Sequence, residues 1–410
     1  PGDVLTLRNR KVSGLIAEEG GRNSHAALIA RSLLVPMVVL PNATRLLHSG
    51  ERIIIDGNTG VVIVNPDDRE WADYQKQRRR QGPALISRIK RLPKIPPVTA
   101  DGVEITVAAN LEMPGPADQI LADRKLPVGL YRTEFLFLQN DRFPDEETQY
   151  EYYERIAEQY ADSHVILRVF DLGADKAMNH NGVSSEENPA LGWRGIRMLL
   201  GMPDVFATQI RAILRASHRG NLKILLPMVS DLDELNKAHK LIGQVKLELD
   251  RKRVPYDKAI EIGVMIEVPA AALMAEQLAK RADFVSIGTN DLAQYTMSAD
   301  RSNNRVADLY SARHPSVLKL IRMTVEAGLK AGKLVSICGE AAGDTLSLPL
   351  FVGMGVRYLS MNPVRIVEAA RLIGKLNAEV VAHLVRGVMS ATTVNEVTRR
   401  LESFRATLPK

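Results

Sequence analysis

A single cysteine, Cys338, occurs among the 410 residues. That excludes an intramolecular disulfide framework and fits a reducing, cytoplasmic setting. Aromatic residues make up only 5% of the chain, too few beside its basic clusters to stack on nucleic-acid bases. No apolar run approaches the roughly 20 residues of a membrane-spanning helix, and no signal peptide is visible. A Gly-rich dinucleotide fingerprint is also missing. The chain opens Pro1-Gly2-Asp3 without a methionine, as a fragment or a processed form would. What remains is an ordinary globular composition, 45% hydrophobic and 25% charged, with a length that allows two or three domains. The net charge of +6 is local, because Arg78-Arg79-Arg80 and Arg88, Lys90, Arg91 and Lys94 fall in one stretch. That stretch reads as a solvated basic helix, with no nucleic acid as partner.

Residues 1–66 read as a small α/β unit. Ser24 to Leu33 favours a helix, Leu34 to Leu40 reads as a strand around a proline, and Arg52 to Val64 reads as a hairpin turning at Asp56 to Gly60. Residues 67–97 form a linker, charged and helical in character up to Arg91, where Leu92-Pro-Lys-Ile-Pro-Pro-Val98 stops any helix. From 98 to 410 the pattern alternates strand and helix. Eight strands are expected: Glu104–Ala109, Val128–Tyr131, Val165–Phe170, Leu222–Met228, Glu261–Glu267, Asp283–Thr289, Leu334–Gly339 and Val356–Ser360. Helical stretches such as Ala271–Ala279 and Pro315–Ala331 lie between them. Eight buried strands with crossovers predict an α/β fold of the (β/α)8 TIM-barrel type. An open doubly wound sheet is the alternative.

Active sites of such barrels form at the C-terminal strand ends, and here those ends are polar. The first strand runs into Asn110, the second into Arg132, and the third carries Arg168 and runs into Asp171. The fifth ends in Glu267, the sixth in Gly288-Thr-Asn-Asp291, and the seventh carries Cys338 and Glu340. One such residue alone would be a rim ion pair. Six ends facing one mouth point to a ligand. Arg132 and Arg168 present planar forks for phosphate and carboxylate oxygens, with Arg301 as a third. Glu267 and Asp291 are hard oxygen donors suited to Mg2+, which binds through one or two carboxylates plus substrate oxygens. Asn290 can donate to a phosphoryl or carbonyl oxygen. The ligand read from these residue types is a small phosphorylated acid. Cys338 is either a proton donor or a small buried hydrophobe, and the residue alone leaves that open.

A second centre is Gly20-Gly-Arg-Asn-Ser-His25. Two glycines allow a tight turn. Ser24 is a good helix N-cap, which puts His25 in the first turn, where free N–H groups and the helix dipole favour an anion. A phosphorylated histidine would be stabilised there. A histidine that merely packs or caps is the other reading.

Together these motifs resemble enzyme I of the bacterial phosphoenolpyruvate-dependent sugar phosphotransferase system. The resemblance runs over nearly the whole chain. It is carried by Gly20 to Arg31, Gly129-Leu-Tyr-Arg-Thr-Glu-Phe-Leu-Phe137, Glu187-Asn-Pro-Ala-Leu-Gly-Trp-Arg194, Ile262 to Pro269, Ser286 to Tyr295 and Cys338-Gly-Glu340. It implies transfer of the phosphoryl group of phosphoenolpyruvate to a histidine, release of pyruvate, and onward transfer to a histidine-containing phosphocarrier protein. His25 resembles the phosphorylated histidine, and Cys338 the proton donor that converts enolate to pyruvate. Arg132, Arg168 and Arg301 resemble substrate-binding arginines, and Arg194 falls in a motif near that site. Asn290 and Asp291 resemble the pair that contacts substrate, with Asp291 and Glu267 as Mg2+ ligands. A homodimer formed through the barrel is implied by the resemblance alone.

The family places its histidine on a swivelling domain, which makes 1–66 a partial phosphohistidine domain. In the family that domain usually has an additional N-terminal portion, with an inserted helical domain that docks the carrier; neither falls within this chain, which is expected to start partway through the domain. The chain as it stands is therefore expected to bind phosphoenolpyruvate and Mg2+ but to pass phosphate to a carrier poorly. Asn23 stands where the motif often has Thr, and Ala174 where Gly is common. Other readings are a fragment of a pyruvate phosphate dikinase or phosphoenolpyruvate synthase relative, and a regulatory phosphoprotein that senses phosphoenolpyruvate.

Overall fold

The computed structural model describes residues 12–19, 27, 30, 35–57, 59–78, 96–112, 115, 118–140, 143–172, 186, 188–301, 303 and 305–409. The chain divides into two compact units, Pro1–Arg91 with Glu112–Ile120, and Leu92–Leu111 with Leu121–Lys410.

In the first unit β1 (Leu15–Ala17) runs parallel to β2 (Met37–Val39). β3 (Ile53–Asp56) pairs antiparallel with β4 (Val61–Val64), Ile54 opposite Ile63 and Asp56 opposite Val61. These are the expected strand and hairpin. β-branched residues supply the pleated surface, and Val38 and Ile54 bury one face. The turn closes where Gly60 donates to the Asp56 carbonyl at 2.9 Å, at a φ of +74°. A helix occupies 68–78 and opens with a reciprocal cap. Asp67 accepts from the Glu70 amide at 2.7 Å, and Glu70 accepts from the Asp67 amide at 3.1 Å. The Gly20–His25 segment and residues 79–95, with most of the basic cluster, lie outside the described residues.

The second unit is a closed barrel of eight parallel strands. They are β5 (Thr106–Leu111), β6 (Val128–Arg132), β7 (Val165–Arg168), β8 (Leu222–Leu226), β9 (Ile262–Ile266), β10 (Phe284–Ile287), β11 (Leu334–Ile337) and β12 (Tyr358–Met361). β12 pairs with β5, Leu359 opposite Val107, and that closure excludes the open doubly wound alternative. Helices follow the strands as crossovers, among them Glu146–Gln159 after β6, Pro203–Ala216 after β7, Leu232–Arg251 after β8 and Pro315–Lys330 after β10. The segment expected as one helix at Ala271–Ala279 is two, Pro269–Leu273 and Ala275–Arg281, which meet at Met274.

Alternate residues of each strand point inward. Leu130, Ile166, Leu225, Met265, Phe284 and Cys338 form an apolar cluster of such positions. One step further along the same inward rows stand Arg132 on β6, Arg168 on β7 and Glu267 after β9, and two steps beyond Phe284 stands Gly288 after β10. The pleat that builds the core therefore also aims these groups into the C-terminal mouth.

Candidate active site

Arg132 and Arg168 are opposite one another in the β6–β7 register. Arg168 is 7% exposed. Its Nη2 donates to Glu134 Oε1 at 2.9 Å, and its Nη1 lies 2.9 Å from Asp171 Oδ2. Burial works against the charge, but Glu134 and Asp171 more than offset it and hold the guanidinium firmly protonated. Glu134 is fixed in turn by the Asp171 amide, at 2.8 Å. A buried glutamine sets the two strand ends. Gln209 donates to Thr133 Oγ1 at 3.0 Å and accepts from the Phe170 amide at 3.0 Å, while Thr133 donates to the Arg168 carbonyl at 2.8 Å.

Asp171 is the centre of the cluster. Arg194 donates to it twice, from Nε at 3.0 Å and Nη2 at 2.7 Å. Burial alone would raise this carboxyl, but Arg194 and Arg168 hold it far below the usual carboxylate range. Arg194 Nη1 then lies 3.8 Å from Asp291 Oδ1, and Arg301 Nη2 lies 3.6 Å from the same oxygen. The result is one chain of alternating charge, Glu134–Arg168–Asp171–Arg194–Asp291–Arg301, running across the mouth.

Glu267 is 1% exposed. Its Oε1 accepts from the Met228 amide at 2.8 Å, an N–H turned inward by a left-handed backbone at Met228, φ +58°. Burial, with Asp291 and Asp171 nearby, pushes the Glu267 carboxyl well above the usual range. Continuing the β9–β10–β11 register by one residue aligns Glu267, Gly288 and Cys338. Gly288 has no side chain to separate them, and a Cβ there would come within 2.8 Å of Glu267 Oε2. Asn290 accepts from the Glu340 amide at 3.0 Å, and Asn110 donates to the Cys338 carbonyl at 2.7 Å. Both asparagines thus brace the Cys338-Gly-Glu turn.

Cys338 is 2% exposed and belongs to the apolar interior cluster. Its thiol donates to the Ile287 carbonyl, Sγ to O 3.6 Å. The thiol caps the core and lies within electrostatic reach of Glu267, Arg168 and Arg132. A thiol is a small hydrophobe with a weak donor, so it fills the apolar layer and spends its proton on the nearest carbonyl. Burial pushes it up to about 11, which keeps it protonated at neutral pH.

The structure thus gathers Arg132, Arg168, Arg194, Glu267, Asn290, Asp291, Arg301 and Cys338 at one end of one barrel. His25 lies outside the described residues, as do Ala174 and Glu187. Sequence reasoning passed over Glu134, Met228 and Tyr295, and met Asp171 only as a strand end. The available signals were Thr133-Glu134 directly after β6 and the Arg168-to-Asp171 spacing.

A family model for the PEP-binding domain of PEP-utilising enzymes matches residues 87–378, and one for the mobile domain of such enzymes matches residues 1–60. The phosphoenolpyruvate-protein phosphotransferase of Geobacillus stearothermophilus is 42% identical over 398 residues, 97% of this chain and 69% of that protein. The chain belongs to the phosphoenolpyruvate-protein phosphotransferase family. Proteins of the same name from Listeria innocua and Staphylococcus carnosus are each 38% identical, covering 99% and 98% of this chain and 71% and 70% of theirs. Every barrel residue of the mouth falls inside the span matched to the PEP-binding domain, and His25 falls inside the span matched to the mobile domain. In this family member no helix among the described residues is long and apolar enough to cross a membrane.

Proposed function

We propose that this chain takes the phosphoryl group of phosphoenolpyruvate onto His25 and releases pyruvate, for onward transfer to a histidine-containing phosphocarrier protein in the cytoplasm. The observation that carries this reading is the single mouth in which Arg194 and Arg301 flank Asp291, Arg168 pairs with Asp171, and Arg168 and Arg194 act electrostatically on Glu267. Phosphoryl transfer needs in-line positioning and charge neutralisation more than covalent chemistry from the barrel. Arg132, Arg168, Arg194 and Arg301 bind the phosphate and carboxylate oxygens, and Asn290 donates to the substrate. The bond between phosphorus and the enol oxygen breaks as a phosphorus–nitrogen bond forms at His25. The pyruvate enolate left behind takes a proton at carbon from Cys338, whose thiol is then restored from solvent.

Glu267 and Asp291 would hold Mg2+. Asp291 Oδ1 is buried without a hydrogen-bond partner, and a buried Glu267 whose ionisation its neighbour Asp291 disfavours suits a shared cation. Among the described residues no group of three His, Cys, Asp or Glu is gathered as a metal cluster. Two protein carboxylates with substrate oxygens completing the shell match the habit of Mg2+. The ion would supply charge neutralisation at the phosphoryl and enolate oxygens.

In this reading residues 1–66 carry His25, 67–97 are the linker about which they swing, and 98–410 are the barrel, which also forms a homodimer. Intact-mass measurement after incubation with phosphoenolpyruvate tests the reading directly. One phosphoryl adduct is expected, dependent on Mg2+, lost on acid treatment and absent from His25→Ala. An adduct that persists in His25→Ala would overturn it.

A further inference from the structure

We propose that Tyr295 is a positioning residue for this reaction, acting through Arg194. The inference rests on the reading of Arg194 as a phosphoenolpyruvate ligand. Tyr295 sits on helix Thr289–Met297, one turn after Asp291, so the two side chains share a face. Its hydroxyl accepts from Arg194 Nη1 at 3.2 Å and donates to the Ala190 carbonyl, with Met228 Sδ 3.8 Å away. Both hydrogen-bonding roles of the phenol are in use, and in one direction only, because Arg194 can only donate and a carbonyl can only accept. Burial pushes the phenol well above its ordinary titration range, so the donor persists at working pH.

Arg194 is thereby held at opposite ends. Asp171 grips Nε and Nη2, and Tyr295 takes Nη1. The bidentate pair alone leaves the guanidinium free to rock toward the nearest remaining anion, which is Asp291 Oδ1 at 3.8 Å. A closer Arg194–Asp291 contact would withdraw a phosphate ligand and a metal ligand together. The phenol holds the pair at 3.8 Å, and by tying Arg194 to Ala190 it also fixes the turn that carries Arg194.

The test is a double-mutant cycle on the full chain with Tyr295→Phe and Arg194→Lys, read in a single turnover as the phosphoenolpyruvate concentration at half-maximal rate (KM), the limiting rate of pyruvate release (kcat) and the Mg2+ concentration at half-activity. Tyr295→Phe is expected to raise KM and the Mg2+ requirement together, each by roughly tenfold, the scale of one lost hydrogen bond to a charged group. The change in kcat should be smaller and the melting temperature unaltered. In the Arg194→Lys background the same substitution should have less than about a twofold effect, because coupled residues are not additive. Equal penalties in both backgrounds, or a silent Tyr295→Phe, would overturn the positioning role. An Arg194→Lys variant with an unchanged KM would overturn the reading of Arg194 itself, and Tyr295 would have nothing to position.

Discussion

The Asp171 carboxylate receives Arg194 through both Nε and Nη2, at 3.0 and 2.7 Å, while its Oδ2 also lies 2.9 Å from Arg168 Nη1. One buried anion therefore fixes two guanidinium groups that come from different parts of the barrel. Placed side by side without it, those cations would repel each other and turn toward water. Asp171 lets them stand side by side in a buried mouth, already held for an anionic ligand.

Asp171→Asn keeps the shape and removes the charge. It is expected to destabilise the fold by about 3 to 5 kcal/mol, the usual cost of leaving buried charge uncompensated, and to weaken phosphoenolpyruvate binding. The native carboxyl titrates below its unfolded value. Its contribution is therefore present above the unfolded value near ~4 and is lost as pH falls through the native one. Denaturant unfolding at pH 7, 4 and 3 checks this: the gap between wild type and variant should narrow with acid, and a constant gap would contradict the assignment.

The eight strands were legible because parallel strands covered on both faces are short apolar runs, and six of the eight run into polar residues. Their ends shift by a residue or two where apolar side chains continue past the ladder, as at Val356 before β12. The mouth was legible because the barrel rule converts strand ends into one location. The contacts inside it were not. Whether Arg194 returns to Asp171 depends on the path of the 22 residues between them, and local pattern does not encode that path. The left-handed turn at Met228 carries no glycine to announce it. The sulfur of Cys338 sits at a boundary between apolar core and charged mouth, and residue type alone does not say which side it faces.

Gly288 is expected to tolerate no side chain. An added Cβ would meet Glu267 at 2.8 Å from Oε2 and 2.9 Å from Cβ, with Met265 Sδ at 3.3 Å. Glu267 has no room to yield, since its Oε1 is held by the Met228 amide. Gly288→Ala should therefore raise the Mg2+ concentration needed for half-activity by roughly tenfold or more, on the scale of a misplaced ligand. Mg2+ titration of phosphoenolpyruvate-dependent pyruvate release decides it, and a wild-type Mg2+ curve would show that Glu267 does not depend on this gap.

At the opposite end of the barrel, His164 and Tyr358 share a hydrogen bond, Nε2 to OH 2.8 Å. Burial, aided by Lys223, pushes the imidazole down to about 4. The unfolded chain binds a proton here at higher pH than the native state does. Stability should thus fall as pH drops from ~6.5 toward the native value, by about 3 kcal/mol at most. His164→Gln should flatten that segment of the profile and leave the KM for phosphoenolpyruvate unchanged, because the site is remote from the mouth. Denaturant midpoints between pH 7 and 4 for the two proteins provide the measurement, and parallel profiles would remove His164 from the acid response.

Cys338 joins the core to the chemistry. Its burial and its shift to about 11 mean that the thiolate is scarce at neutral pH and the proton is available to give. Alkylation by iodoacetamide should therefore be slow at pH 7.5 and keep rising well past pH ~8.5, where a free thiol levels off. Cys338→Ala should cut pyruvate release by about 10² to 10⁴, the span typical of a lost general acid, while a single turnover still phosphorylates His25. The two readouts separate the roles. Normal pyruvate release from Cys338→Ala would leave the thiol as core filling only, and loss of both activities with a lowered melting temperature would assign the defect to packing. Slow protonation with intact phosphorylation is the result that places the acid at Cys338, one strand from Gly288 and two from Glu267.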